Sequence, residues 1–488
     1  MQSLCFGDFT FDFARALLLR AGEPIHLGVR ATRLLAAMLR RPGDVLTKSQ
    51  LLEAAWDGAA IEDSNLSVQV ARLRGFLGTR PDGRDWIETV PGIGYRFVPL
   101  LEPRSITSLP CLVLRPFADV TMGPEPGGWA ATVNADLTVA LSRFKSVALL
   151  SSEAPRQSGL AGSYLLKGSI RASNDVLRIV AQLIDGESGR VVWAEKYQGR
   201  TDGDPDTVDR LVGQVAATVA LQIEIAEIAR SRRDRPGSAA VYDLLRMGQA
   251  WLRSSHPADN ARATELVLQA VELEPENVTC LATACEALHH RISMGWPMLR
   301  QGDLTLTREL ALRGLQLTED DAQAISCFGI ALFFSGEPEQ GFSTMQHGAA
   351  LNPNSVLSTL IAGQGQLMWG DLGEAERLLR TALRLNPLDP AQRFTVSAFA
   401  TLCIVRGDYR GAVDAAERAF AINQNYGTTQ RSLMAANAQL GRHEETKRCR
   451  KHFAAVHGPL LLADIQNSTP TRDSRRTNML AGLELAGL

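Results

Sequence analysis

The stretch SNLSVQVARLRGFLG, Ser64 to Gly78, sets Leu66, Val70, Leu73 and Leu77 four, three and four residues apart. That spacing is one narrow stripe of a helix. The opposite side carries Ser64, Val68, Ala71 and Gly75, flanked by Gln69 and Arg72 on one edge and by Ser67 and Arg74 on the other. No acidic residue lies between Ser64 and Gly78. A solvent face this slim and this free of acid suits a surface that must approach a polyanion.

Working outward, VRATRLLAAMLRRPG predicts a helix with Leu34, Leu35, Met38 and Leu39 inward and Gly43 as its stop. LTKSQLLEAAW predicts a second, short helix with Thr47 as N-cap. Asp63 or Ser64 can cap the third helix, and Gly78 can end it. DWIETVPGIGYRFVPL reads as a hairpin turning at Pro91-Gly92-Ile93-Gly94. At the start, Leu4, Phe6, Phe9, Phe11 and Phe13 alternate around a turn at Gly7-Asp8. RALLLRAGEPIHL adds two strands around Ala21-Gly22-Glu23-Pro24.

Helix, short helix, helix, hairpin is the layout of a winged helix-turn-helix. A recognition helix enters a major groove about 12 Å wide. Ser64, Ala71 and Gly75 let its backbone approach the bases. Val68 can touch a thymine methyl, Gln69 can pair with adenine and Arg72 with guanine.

Residues 3–99 resemble the OmpR/PhoB-type winged-helix DNA-binding domain. LTKSQLLEAAW, IEDSNLSVQVARLRGFLG and WIETVPGIGYRFVP carry the likeness. The resemblance implies DNA contacts, in the groove or to phosphates, from Asn65, Gln69, Arg72 and Arg74. It implies a wing contact from Thr89 and backbone contacts from Lys48 and Trp56. With Ser64, Ser67 and Val68 these ten residues form the candidate DNA-binding set. Two readings of Arg74 stand open, a phosphate contact and a salt bridge inside the domain. Trp56 reads first as core. Ser64 and Ala71 stand where better-studied relatives carry arginine, and Pro91 replaces a basic wing residue. Fewer neutralised phosphates imply weaker binding by each domain, for which dimerisation or tandem binding would compensate.

The whole chain has 488 residues, 45% hydrophobic and 21% charged, which predicts several ordered domains. A net charge of −2 restricts nucleic-acid binding to a local patch. The seven cysteines have no zinc-finger spacing and read as buried free thiols. No basic leader and no run of 18 apolar residues is visible, so a cytoplasmic protein without membrane contact is expected.

In the middle, LPCLVLRPF, SVALLS, SYLLKGSIRA, DVLRIVAQLID and GRVVWAEKYQG read as strands. WAATVNADLTVALSRF and DTVDRLVGQVAATVALQIEIAEIARSRR read as helices. In the first, Ala131, Ala135, Leu137, Val139 and Leu141 are inward candidates. This α+β pattern resembles the TolB-like domain of bacterial regulators and of some adenylate cyclases. Asp202, Asp204, Asp206 and Asp209 read as a helix-capping, solvated loop.

After Ser238 the chain repeats itself. Leu317, Leu351 and Leu385 are 34 residues apart, and the turns Gly336-Glu337, Gly370-Asp371, Gly407-Asp408 and Gly441-Arg442 step by 34, 37 and 34. A 34-residue period of paired helices is the tetratricopeptide signature, with about six pairs between Val241 and His457. Pro275, Pro353 and Pro387 stop second helices. His289 and His290 read as surface residues, and QNSTPTRDSRRTNML as a mobile tail.

The expected organisation is multidomain: a winged helix-turn-helix (1–101), a linker (102–108), a TolB-like α+β sheet domain (109–232), an all-α tetratricopeptide superhelix (239–458) and a tail (459–488). This resembles HilA-type regulators, with the DNA-binding domain first and no receiver domain. The expected function is a sequence-specific transcriptional regulator acting on double-stranded promoter DNA. Its other expected partners are a protein or peptide in the repeat groove, with RNA polymerase a candidate, and a second copy on DNA. No catalytic residue, metal or cofactor is expected. The alternative is a cytoplasmic, repeat-based signalling scaffold.

Overall fold

The computed structural model describes residues 3–6, 9–13, 15–20, 23–25, 27–40, 45–56, 63–79, 85–98, 109–121, 129–150, 163–173, 175–201, 206–234, 240–387, 389, 392–459, 462, 470–471, 475 and 477–488. The chain divides into two compact units, Met1–Arg104 and Ser105–Leu488.

The first unit opens with an antiparallel meander, β1 (Ser3–Phe6), β2 (Phe9–Asp12), β3 (Leu17–Arg20) and β4 (Glu23–Ile25), paired in that order. Next come α1 (Val29–Arg40), β5 (Val45–Thr47), α2 (Lys48–Trp56), α3 (Asp63–Leu77), β6 (Ile87–Val90) and β7 (Gly94–Phe97). The second sheet has the order β5-β7-β6. A capping box starts α2: Thr47 Oγ1 accepts the Gln50 amide at 3.3 Å, and Gln50 Oε1 accepts the Thr47 amide at 2.9 Å. Gly78 stops α3 at φ 64°, its amide donating to Arg74 O at 2.8 Å. Leu34, Leu35, Met38 and Leu39 of α1 meet Leu66, Val70, Leu73 and Leu77 of α3 in one core with Phe11, Trp86 and Phe97. Gly94 is required where β5 crosses, since a Cβ there would lie 2.0 Å from Leu46 O. The turns at Gly7-Asp8 and Ala21-Gly22 lie outside the described residues.

The second unit begins with a six-stranded sheet of β8 (Cys111–Leu114), β9 (Ala118–Asp119), β10 (Ala148–Leu150), β11 (Ser163–Ser173), β12 (Val176–Asp185) and β13 (Val191–Arg200). The order is β10-β8-β11-β12-β13, with β9 beside β11. β8, β9, β10 and β11 pair in parallel, and β11-β12-β13 are antiparallel. Helices α4 (Trp129–Ser142) and α5 (Thr207–Asp234) pack on the face that buries Leu177, Ile179, Ala181 and Leu183. In α4 the buried stripe is Val133, Leu137, Ala140 and Leu141, while Ala131, Ala135 and Val139 are exposed. The expected stripe was wrong at those three positions because the helix is apolar nearly all round, which leaves its register to the partner.

Among the described residues, twelve helices from Val241 to His457 form six pairs. They are α6 (Val241–Leu252) with α7 (Pro257–Leu273), α8 (Val278–Met294) with α9 (Asp303–Leu317), α10 (Ala322–Phe334) with α11 (Pro338–Leu351), α12 (Val356–Met368) with α13 (Leu372–Leu385), α14 (Gln392–Val405) with α15 (Tyr409–Ile422), and α16 (Gly427–Gln439) with α17 (His443–His457). The glycine turns fall inside pairs, with Gly336, Gly407 and Gly441 at positive φ. Small residues permit the close contacts: Ala331 and Ala382 are fully buried.

Sheet and repeats are continuous through α5. One of its faces lies on the sheet. On another, Gly213 lets it approach the repeats, where a Cβ would meet Asn354 Oδ1 at 2.7 Å and Leu385 Cδ2 at 3.4 Å. Gln214 Nε2 donates to Arg384 O at 2.7 Å. Burial on two faces explains why Thr207–Ser231 is apolar and long enough to cross a membrane, although 61% of its apolar stretch is buried inside the protein. The chain end also joins the repeats. Helix Thr477–Leu485 packs on α14 and α16, and Asn478 Nδ2 donates to Ile404 O and Val405 O at 3.2 and 3.1 Å. A polar segment expected to be mobile therefore ends in a docked helix.

Candidate nucleic-acid interface

Burying Leu66, Val70, Leu73 and Leu77 fixes which side of α3 faces solvent. That side presents Asn65, Ser67, Val68, Ala71, Arg72 and Gly75, all exposed, with Gln69 half-exposed. Val68 is 63% exposed, so a partner that covered it would gain the burial of an apolar side chain. Asn65, Gln69 and Arg72 make no side-chain hydrogen bond to the described protein; the only recorded contact of the Arg72 guanidinium is its position 5.7 Å from the Phe76 ring centre. Three polar groups, acid-free surroundings and two positions without bulk thus share one exposed edge. The Ser64 side chain lies outside the described residues.

The remaining predicted residues sit differently. Arg74 turns from this edge toward the hairpin. Its Nε donates to Ile87 O at 2.9 Å, its Nη2 to Thr89 Oγ1 at 3.0 Å, and it pairs with Asp85 at 3.3 Å. Thr89 is exposed, with its hydroxyl engaged by Arg74. Trp56 is core at 7% exposure, with the Arg30 guanidinium 5.7 Å from its ring centre. Lys48 is half-exposed at the start of α2, its amide donating to Ile93 O at 3.3 Å. The sequence pattern did not disclose that Ser67 Oγ lies 3.3 Å from Tyr95 Oη, tying α3 to β7 across 28 residues. Nor did it single out Ile93, which stands 51% exposed at the hairpin tip. Arg96 of β7 is paired with Glu88 at 2.6 Å. The charge offered by the described part of the unit therefore comes from α3 more than from its wing.

No described group of His, Cys, Asp or Glu is arranged to hold a metal ion. What the geometry can do is donate and accept hydrogen bonds from a slender, exposed helix edge.

Residues 22–97 match the family model described as "Transcriptional regulatory protein, C terminal". The chain is 22% identical to the transcriptional regulator HilA of Salmonella typhimurium over 430 residues, 81% of this chain and 72% of the relative. This chain is a DNA-binding transcriptional regulator with an OmpR/PhoB-type domain. The regulator is also 39% identical over 94 residues to KdpE of Escherichia coli, the KDP operon transcriptional regulatory protein, covering 19% of this chain and 42% of the relative. A solved structure of the Klebsiella pneumoniae RstA DNA-binding domain in complex with RstA box aligns with 20% of the regulator and 99% of that chain, at 25% identity and a TM-score of 0.19.

In the regulator, Arg74→Ala is expected to loosen the hairpin rather than remove base readout. The loss should be about 1 kcal/mol, the net worth of a partly exposed hydrogen-bond set. Thermal unfolding of the first unit reports it, and DNA affinity corrected for the folded fraction should fall less than for Arg72→Ala.

Proposed function

We propose that the regulator binds double-stranded promoter DNA by placing the exposed edge of α3 in the major groove, with the wing beside the adjacent minor groove. The observation that carries this is the acid-free edge of Asn65, Ser67, Val68, Gln69 and Arg72, whose three long polar side chains make no hydrogen bond to the described residues. Ser64, Lys48 and Thr89 flank it, Arg74 supports the wing, and Trp56 supports α2 from the core. The TolB-like sheet and the repeats receive a protein or ligand signal and set oligomeric state, with RNA polymerase a candidate partner. Action without catalysis, in the cytoplasm and as a homo-oligomer on DNA, completes the reading.

Since phosphate contact releases counterions, log affinity for duplex DNA should fall linearly with log salt. The slope should be shallow, because Ala71 and Pro91 replace charge. Fluorescence anisotropy of the full chain with a selected duplex from 50 to 300 mM salt measures it. An affinity that does not change with salt would remove the phosphate-contact model.

A further inference from the structure

Two cavities share Glu286, Cys327, Leu357, Leu360 and Phe394 as walls: one of about 260 Å³ between α5 with its sheet domain and the repeats, and one of about 200 Å³ inside the repeats. The smaller is bounded by α8, α10, α12, α14 and α16 and by the chain end through Arg475, Met479 and Leu480. Most of its wall is apolar, including Ile330, Phe334, Ile361 and Leu367. Into it project three polar side chains whose chemistry the protein leaves unfinished.

The first is Arg431. It is 8% exposed, and its guanidinium donates only through Nη2, to Ser293 O at 3.3 Å and Thr428 Oγ1 at 3.2 Å. No carboxylate among the described residues pairs with it, and burial holds its pKa below the usual arginine range. A buried cation without a counter-ion is expensive, and proteins normally supply one. The second is Glu286, whose carboxyl makes no hydrogen bond among the described residues and which burial pushes up to about 7, with Glu224 adding to the shift. The third is His290, whose ring lies tilted against those of His289 and Phe394 and makes no hydrogen bond among the described residues. His289 is 6% exposed and burial lowers it to about 4, so both imidazoles are neutral at pH 7. Neither is the surface residue expected from sequence, because α8 is buried along the inner wall and its neighbours close over both sides.

Glu286, His290 and Ser293 recur at helical spacing along one side of α8, spanning about 10 Å at 1.5 Å per residue. The cavity therefore has a cationic end at Arg431, an apolar middle and a carboxyl end at Glu286. We infer that it binds a small amphipathic monocarboxylate, with the carboxylate on Arg431 and the apolar body along Phe334, Leu360, Ile361 and Leu367. A cavity of 150 Å³ holds benzene, so this one takes about eight non-hydrogen atoms, room for the chain of a medium-length monocarboxylate whose head lies at Arg431. The anion completes the buried charge, and the hydrocarbon fills space that is empty of side chains. This deepens the sensing role proposed above for the repeats, and its test contains no DNA, so failure here and failure of the DNA-binding reading are separable.

Octanoate is the probe, titrated calorimetrically into the full chain at pH 7.5, with octanol, octylamine, acetate and chloride as controls. Octanoate should bind one to one and raise the thermal midpoint, with each control at least tenfold weaker. Arg431→Met should weaken octanoate at least tenfold, the worth of a lost charge-assisted hydrogen bond, and leave octanol unchanged. Because that variant could fail to fold, a diazirine-bearing octanoate analogue is crosslinked to the wild-type chain; labelled peptides should come from α8, α12, α14 or α16. No octanoate binding, equal binding of octylamine or acetate, unchanged affinity in a folded Arg431→Met protein, or label confined to other segments would each overturn the inference.

Discussion

Glu227→Ala should destabilise the second unit by about 3–5 kcal/mol, the usual result of removing one partner of a buried ionic cluster. Glu227 lies on α5, is 2% exposed, and accepts hydrogen bonds from three elements. Tyr164 Oη of β11 reaches its Oε1 at 2.6 Å, Arg230 Nη1 reaches the same oxygen at 2.8 Å, and Tyr242 Oη of α6 donates to Oε2. Arg230 also pairs with Asp185 at the end of β12. Burial, reinforced by Glu227, pushes Tyr164 above its ordinary range, and burial raises Tyr242 to about 12, so both remain donors at neutral pH. Truncation leaves two tyrosine hydroxyls without their acceptor and half of the charge that faces Arg230 missing. Urea unfolding followed by circular dichroism should show a lower midpoint, whereas Glu227→Gln, which retains an acceptor oxygen, should lose less. Since the cluster joins the sheet to the first repeat, the Ala variant should also separate their unfolding transitions. A midpoint equal to wild type would mean that α5 is held by apolar contacts alone.

Arg72→Ala should weaken specific DNA binding by about 1–3 kcal/mol, roughly six- to 150-fold, and leave the fold intact. The side chain is exposed and, among the described residues, touches only the Phe76 ring, so stability has little to lose. Its loss should act mainly on one base position, whereas Lys48→Ala should weaken all duplexes about equally. Competition titrations against duplexes changed one base at a time separate the two outcomes. Equal affinity of Arg72→Ala and wild type for every duplex would contradict the assignment of the helix edge.

The first unit was legible because its signals are local. A stripe of period 3.6 fixes the buried side of α3, and Thr47 marks the start of α2 as its N-cap. The six helical pairs were legible from the 34-residue step of their leucines and glycine turns. Arg74 could not be decided, because it lies at the boundary between stripe and edge; its direction depends on Ile87 O, thirteen residues away and on another element. The exposed face of α4 and the interior position of His289 and His290 were hidden for a related reason. Helices covered by several neighbours lack the polar side that marks orientation. Gly213, read alone, is a helix-weakening glycine, and only its approach to Asn354 and Leu385 shows why a side chain has no room there. Arg431 gives no signal in sequence, since a missing counter-ion is visible only once every neighbour is in place.

Methylation interference at guanine N7 tests the central claim most directly. Duplexes selected from a random library by the full chain are lightly methylated, bound and partitioned. N7 lies in the major groove, where the proposed contact of Arg72 with guanine falls. The account predicts interference at one or more guanines in each half-site, lost when Arg72 is replaced by Ala. Binding that is insensitive to N7 methylation at every guanine, or an interference pattern identical in wild type and Arg72→Ala, would contradict it.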